Sequence, residues 1–364
     1  MQSLQDAPVG TVAPLRTITF GELADLPVKP RQHLLFPWLR EGDSALVWAA
    51  AGVGKTMFTL SLALAVAGGG TVLEWNAPRP RRVLVIDGEM PEDDLRERLI
   101  SLAGSVEGID MDAARKNLRL LARNGQSPDA AFPDFGDVSQ HRAILRRIRR
   151  YRPDLVVLDN LSTLAGVADE NSAAATQVIV KFLAMLKQAQ IATIVVHHSN
   201  KAGTGYRGST MLETTFECVI GLRKDRGADV VDTSGTTKFR FEWTKYRRKR
   251  GPTIRDTSAR LEDAGGRLQW VVAPTDDDIL DALAALVRTG QYGTQRALLA
   301  ALPRHLWPTA GSQPSLSWLN GKLGVADAKG VLPGHEREKL FKASRGESEA
   351  PADVDEDDTA NDDL

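Results

Sequence analysis

The stretch that most restricts how this chain can fold lies between residues 44 and 67. Ser44–Ala50 (SALVWAA) is a short apolar run, residues 49–56 read A-A-A-G-V-G-K-T, and Thr56–Ala67 (TMFTLSLALAVA) is apolar over the length of a helix. A strand that turns through glycines into a helix gathers backbone N–H groups and a helix N-terminus at one point, and that point holds an anion. The pattern for such a phosphate-binding loop is G-x-x-x-x-G-K-[ST]. Gly54, Lys55 and Thr56 match its last three positions, and Ala49 stands where the first glycine is expected. Alanine is small enough to let the backbone pass closely, so the departure does not break the motif. The candidates for cradling a nucleotide are therefore Ala51, Gly52, Val53, Gly54, Lys55, Thr56 and Met57. Lys55 is expected to reach the β- and γ-phosphates and the Thr56 hydroxyl to bind Mg²⁺, which makes ATP and Mg²⁺ the expected cofactors. A chance glycine turn is the plain alternative, and the coincidence of strand, loop, Gly-Lys-Thr and apolar helix argues against it.

The rest of the chain supplies the surroundings such a loop needs. Apolar runs of strand length recur at Arg82–Ile86, Leu118–Leu121, Leu155–Leu158 and Ile191–Val196, separated by helical patterns at Pro91–Ala103, Arg142–Tyr151 and Asn171–Gln190. Such alternation predicts an α/β fold with a mostly parallel sheet covered on both faces. After residue 215 the runs Cys218–Leu222, Lys238–Thr244 and Leu268–Val272 read as antiparallel strands extending the same sheet. Two apolar strands end in acid. Asp159 closes LVVLD and is placed to bind Mg²⁺, its bland alternative being a cap or turn aspartate. Glu89 follows RVLVIDG and is placed to polarise an attacking water, with Asp87 as competitor or as a group behind the metal. Glu92, Asp93 and Asp94 suit the first turn of the next helix.

Charge and composition exclude more than they assign. With 46 basic against 47 acidic residues, no global electrostatic argument for nucleic acid or membrane follows. No apolar run approaches the roughly 18–20 residues of a membrane span, so no membrane partner is expected. The first twenty residues lack a basic region followed by an apolar stretch, so no signal peptide is expected. The single cysteine, Cys218, allows no internal disulfide. Both points fit a cytoplasmic protein. Charge is unevenly spread, however. Six arginines fall in residues 142–152, five of the six residues 245–250 are basic, and residues 347–364 hold nine carboxylates and no Lys or Arg. Arg142–Tyr151 reads plainly as an amphipathic helix with Ile144, Leu145 and Ile148 inside and its arginines in water; a phosphate-binding face is the alternative.

These motifs together resemble the RecA-like ATPases, and within them the RepA-type hexameric replicative helicases. The resemblance is carried by AAAGVGKT (49–56), VLVIDGEMP (83–91), LVVLDNLSTL (155–164), DEN (169–171), VVHHSNKAGTGYRGST (195–210) and TKYR (244–247), in the family's order. It implies a RecA-like core over residues 41–274, an ATP-hydrolysing motor on DNA, and a ring-forming homo-oligomer, expected to be a hexamer. It implies Glu89 as catalytic glutamate and His198 as the polar sensor of the γ-phosphate, with His197 on the opposite face as a buried structural residue. Lys201, Tyr206 and Arg207 fall where the family's inner loop touches single-stranded DNA, the bland alternative being a mobile surface loop. Lys245 and Arg247 match a K-x-R pair delivered into the neighbouring subunit's ATP site, with Arg207 as rival; a solvated strand end or a DNA patch is the competing reading of this basic run.

The flanks are less informative. Residues 1–40 read as a lead-in. Residues 276–345 read as a small helical module, with helices at Asp278–Val287, Thr294–Leu302 and Ser315–Leu323 and a resemblance to a winged helix-turn-helix weakened by the long turn at 303–314. Residues 346–364 read as a disordered acidic tail. Module or tail could meet DNA or a replication partner. Three functions stay open on these grounds: a replicative-type helicase of a plasmid, phage or other mobile element; a recombination or repair mediator that does not unwind DNA; and a regulatory ATPase switch on a protein partner.

Overall fold

The computed structural model describes residues 15–27, 29–166, 173–200, 202–207, 210–224, 237–265, 267–307 and 313–346. The motif at 169–171, Lys201 and the acidic tail lie outside these residues. Contacts divide the chain between Gln32 and His33. The first part holds one short helix, α1 (Phe20–Asp25), closed by a capping box between Thr19 and Glu22, with no buried residue. The expected lead-in thus gives way before residue 40. β1 (His33–Leu35) and β2 (Leu39–Arg40) form a hairpin whose Leu34, Leu35, Trp38 and Leu39 are fully buried.

The second part then runs β3 (Ser44–Ala49), α2 (Lys55–Gly68), the hairpin β4 (Gly70–Val72) and β5 (Trp75–Ala77), β6 (Val83–Asp87), α3 (Glu92–Leu102), α4 (Met111–Asn117) and β7 (Leu118–Ala122). There follow α5 (His141–Tyr151), β8 (Leu155–Asp159), α6 (Leu161–Leu164), α7 (Ala173–Gln188), β9 (Ala192–His198), α8 (Thr210–Thr215), β10 (Cys218–Lys224), β11 (Thr237–Tyr246), β12 (Thr257–Asp263) and β13 (Leu268–Val272). A nine-stranded sheet runs β13-β12-β11-β10-β3-β9-β8-β6-β7. From β10 to β7 it is parallel, and β11 to β13 extend it antiparallel. This is the expected α/β core, a mostly parallel sheet with helices on both faces. β12 escapes sequence reading because only Ala259 and Leu261 of TSARLED are buried, too few for an apolar run.

Side chains on a strand alternate between faces, and the two cores divide accordingly. Val47 and Ala49 of β3, Leu155 and Val157 of β8, and Ile194 and Val196 of β9 face α2 and α3. Leu46, Trp48, Val156, Leu158 and Val195 face α5, α6 and α7. Both faces are dry, which explains why the central strands read as unbroken apolar runs. α2 is buried almost all round, so it shows no amphipathic stripe. Phe58 on α2 anchors an aromatic cluster: its ring lies 5.2 Å from Phe241, 5.9 Å from Phe239 and 6.0 Å from Trp75, all edge-on. Trp270 of β13 donates to Ser61 Oγ at 2.9 Å. These contacts hold the antiparallel extension against the helix that follows the phosphate loop.

The C-terminal residues form α9 (Asp276–Arg288), α10 (Gln295–Ala301), α11 (Leu316–Ala328) and α12 (Gly334–Ser344) around their own apolar cluster. Thr275, Thr294 and Ser315 cap the first three. The module is helical as expected, with a fourth helix that GHEREKLFKAS hides because none of its residues is buried. Among its described residues the module holds four α-helices and no strand pair. No helix among the described residues is long and apolar enough to cross a membrane.

Truncating Phe58, fully buried among these rings, leaves a cavity the surrounding aromatics cannot close. Phe58→Ala is expected to cost about 3–5 kcal/mol, measured by urea denaturation; a loss below about 1 kcal/mol would show that the cluster does not brace α2.

Candidate functional site

Four parallel strands end side by side. Ala49 lies opposite His198, and Asp87 opposite Asp159. The carboxyl edge of a parallel sheet is where open α/β folds bind ligands. Here it opens into a cavity of about 830 Å³ lined by Ala51, Gly52, Gly54, Lys55, Thr56, Met57, Glu89, Asp159 and His198. Val53, also expected in the cradle, is buried beneath it. Asp94, Glu97 and Arg98 of α3, with Thr237, Asp263 and Leu268, form the remaining wall.

The loop depends on glycine at two points. Gly52 and Gly54 have φ of +75° and +101°, a region most side chains avoid. A Cβ on Gly54 would also lie 2.5 Å from Thr237 Oγ1. That hydroxyl donates to Val53 O at 2.7 Å and pins the turn from a strand 184 residues away. The Lys55 ammonium bends back to donate to Ala49 O at 3.1 Å and Ala50 O at 3.0 Å. Burial lowers its pKa, while Asp159 and Glu89 work the other way.

Asp159 is buried beside Asp87. Burial first, and then Asp87, raise its pKa to about 7, against a hydrogen bond from the Thr56 hydroxyl. A buried carboxylate joined to a hydroxyl at a phosphate loop is an oxygen donor pair that suits Mg²⁺. Among the described residues no cluster of three or more His, Cys, Asp or Glu could hold a metal alone. The pair therefore fits a cation that takes its other ligands from phosphate and water.

Asp87 is buried and bonded to the turn that follows β6. Its Oδ1 accepts from Glu89 N at 2.8 Å and Met90 N at 2.6 Å, shaping the turn that presents Glu89. Asn124 Nδ2 donates to Glu89 O at 2.7 Å from the far side. The Glu89 side chain, 47% exposed, reaches to 3.7 Å from His198 Nε2. Burial, followed by the nearby Lys55 charge, lowers the His198 pKa, so this contact is not an ion pair at neutral pH. His198 Nε2 lies 3.2 Å from Asn160 Nδ2. The amide donates there, which assigns the imidazole proton to Nδ1. His197 is buried, as alternation along β9 requires.

The remaining expected residues sit elsewhere. β11 begins at Thr237 on the phosphate loop and ends beside Cys218 and Val219, at the opposite edge of the sheet. Lys245 is therefore roughly 27 Å of strand away from the chain's own loop. Lys245 Nζ donates to Glu213 O and Arg247 Nη2 to Thr214 O. Arg248 is bound to buried Asp43 at 2.7 Å, and Arg250 donates to Trp243 O at 2.6 Å. Much of the basic run is thus bonded to carbonyls of its own chain, and among the described residues Arg248 alone of these four is paired with a carboxylate. Arg207 lies near enough to its own Lys55 to depress that lysine's pKa, and its Nε donates to Ser199 O at 3.1 Å. The partly buried Tyr206 ring packs against the second core, and its hydroxyl donates to Glu213 at 3.2 Å, which anchors the loop. The loop itself is held: Arg223 donates to Gly203 O at 2.9 Å and Thr204 O at 3.2 Å, and pairs with Glu242 at 2.6 Å.

Sequence reasoning missed Asn160 and Thr237 at this site. Asn160 carried a signal, since an Asn after a strand and before Leu-Ser-Thr-Leu is an N-cap pattern, and Asn160 does cap α6. Thr237 carried none, because its only mark is a contact made by folding.

Two outcomes follow from this geometry. Thr237→Val keeps the shape but loses the hydrogen bond to Val53, at about 1 kcal/mol. Calorimetric titration should show nucleotide binding weakened about fivefold or more, with Thr237→Ser restoring it; unchanged affinity in the valine variant would remove Thr237 from the site. For Asp159, a carboxyl whose pKa rises on folding holds more protons folded than unfolded between the two values. The metal-free protein therefore loses stability as pH climbs from about 4 to about 7. Asp159→Asn should raise Tm at pH 8, by roughly 2–4 kcal/mol of stability, and leave it unchanged near pH 4. Equal melting curves at pH 8 would contradict this.

Residues 11–204, just over half of the chain, match the family model described as an AAA domain. Among solved structures, a KaiC-like protein from the hyperthermophilic archaeon Pyrococcus horikoshii OT3 is 19% identical, with 68% of this chain and 100% of that one covered and a TM-score of 0.47. With its phosphate loop at the carboxyl edge of a RecA-like sheet, the chain belongs to the AAA domain family as a RecA-like P-loop ATPase.

Proposed function

We propose that the chain is a ring-forming, Mg²⁺-dependent ATP-driven motor on single-stranded DNA, a RepA-type replicative helicase of a plasmid, phage or other mobile element, working in the cytoplasm. The observation that carries this reading is the separation along β11: Lys245 and Arg247 stand at the sheet edge opposite their own phosphate loop. Cations so placed serve a nucleotide only if the nucleotide belongs to an adjoining subunit. A closed ring, expected to be a hexamer, satisfies every such site at once.

In this mechanism the N–H groups of the loop and Lys55 hold the β- and γ-phosphates. Mg²⁺, held by Thr56 and Asp159, would neutralise charge on the phosphates. Glu89 orients a water and takes its proton as the γ-phosphoryl group transfers. Neutral His198, kept in one tautomer by Asn160, donates to the γ-phosphate. Lys245 and Arg247 of the adjoining subunit stabilise the transferring group. The backbone bond from Arg207 N to His198 O ties the sensor to the loop at 199–207, so a change at the phosphate moves that loop. Arg207, together with Lys201, would meet the DNA backbone there. The helical module or the acidic tail is left for a replication partner.

The test is ATP turnover with and without single-stranded DNA, beside unwinding of a forked duplex. Lys55→Ala is expected to abolish turnover. Arg247→Ala should lower it about a hundredfold with nucleotide binding kept. Mixing Arg247→Ala with Glu89→Gln subunits should recover part of the activity, because some interfaces then combine an intact loop with an intact pair. Normal turnover by Arg247→Ala, or no recovery on mixing, would sink the shared site. DNA-stimulated turnover without unwinding would favour a recombination mediator, and turnover indifferent to DNA a switch on a protein partner.

A further inference from the structure

The nucleotide site leaves one strongly charged surface unused. α5 buries His141, Ile144, Leu145 and Ile148 and turns Arg142, Arg146, Arg147, Arg149 and Arg150 to solvent. None of these five guanidinium groups has a hydrogen-bond, ion-pair or ring partner among the described residues. Among the described residues Arg81, Arg223, Arg248, Arg255, Arg260 and Arg288, by contrast, each pair with a carboxylate.

The elements around α5 add positive charge and almost no negative charge. α7, which packs beside it, has no carboxylate and exposes Lys181. At the end of α5, Arg119 from the edge strand β7 lies 4.3 Å over the Tyr151 ring, and Arg82 donates to Tyr151 O at 3.4 Å. The nearby carboxylates are Asp134 and Asp137 on the approach to the start of α5, Asp154, paired with Arg81 at 2.9 Å, and buried Asp159; from residue 139 to residue 153 there is none. Holding so many like charges together without counter-charge costs stability, and a bound polyanion offsets that cost.

We infer that the arginine face of α5, with Arg82 and Arg119, is a binding surface for the phosphate backbone of nucleic acid, separate from the nucleotide pocket and from the loop at 199–207. Three features select this partner. Guanidinium forks bind phosphate oxygens bidentately. Arg142, Arg146 and Arg150 recur at about one helical turn, covering roughly 12 Å, which spans three to four phosphates of one strand. The apolar side of α5 is committed to the core, so the helix has nothing to insert into a lipid surface. The inference deepens the reading as a DNA motor, by giving it a second grip on the strand or on the adjoining duplex.

The test is fluorescence-anisotropy binding of the full chain to a 40-base-pair duplex and to a 40-mer of dT across a salt series. The double variant Arg146→Gln, Arg150→Gln is compared with wild type, and neither residue lines the nucleotide pocket. Loss of two phosphate contacts should make the plot of log affinity against log salt shallower by about 1.8 for duplex or about 1.4 for single strands, with binding to duplex roughly 30- to 60-fold weaker at 0.1 M salt. Basal ATPase without DNA and Tm should stay unchanged. Wild-type slope and affinity in the double variant would overturn the surface while leaving the motor reading intact, provided DNA still stimulates turnover. No DNA affinity in the wild type at 50 mM salt would overturn both. Binding of wild type to phosphatidylserine vesicles, lost in the double variant while DNA binding is kept, would overturn the choice of partner.

Discussion

The chemistry of this chain hangs on one bend, the passage from β3 to α2. Its φ angles demand glycine at 52 and 54. Such a turn has little to hold it in place by itself, because its neighbours Ala50 and Ala51 are small and exposed. The fold supplies the missing rigidity from two sides. α2 is buried almost all round, and Thr237 bonds the carbonyl of Val53 from above. The aromatic cluster around Phe58 joins these two supports, so the strand that clamps the loop is packed on the helix that leaves it.

The second constraint is electrostatic. Parallel strands of equal length deliver Asp87 and Asp159 to adjacent positions at the same edge. Two buried carboxylates cannot both be charged cheaply, and burial raises the pKa of both, that of Asp159 to about 7. The N–H groups of Met90 and Glu89 work against that rise at Asp87, and through them Asp87 shapes the turn that presents Glu89. The arrangement leaves one buried carboxylate poised for a cation and one exposed carboxylate free for a water. His198 completes it as a neutral donor, because burial and Lys55 keep it from protonating.

β11 starts on the phosphate loop and finishes at the opposite edge of the sheet, with Lys245 and Arg247 held on the carbonyls of α8. One strand thus spans from the nucleotide cavity to the far edge of the same sheet. Gly203 is braced by Arg223, and Tyr206 is bonded to Glu213.

The residues whose roles come from local backbone chemistry were legible in the sequence: the glycines and Lys-Thr of the loop, the acids that end apolar strands, the apolar spacing of the C-terminal helices, and the alternation that turns His197 inward. These follow from neighbours in the chain, through strand period, helix capping and the conformations open to glycine. Tertiary structure alone decided that Thr237 touches Val53, that Tyr206 faces the core, that Arg248 is sealed against Asp43 while the arginines of α5 stay unpaired, and that Lys245 and Arg247 stand at the far edge of the sheet. Each of these is a pairing between positions distant in the chain, set by strand order and by burial, and a one-dimensional pattern of residue types does not carry that information.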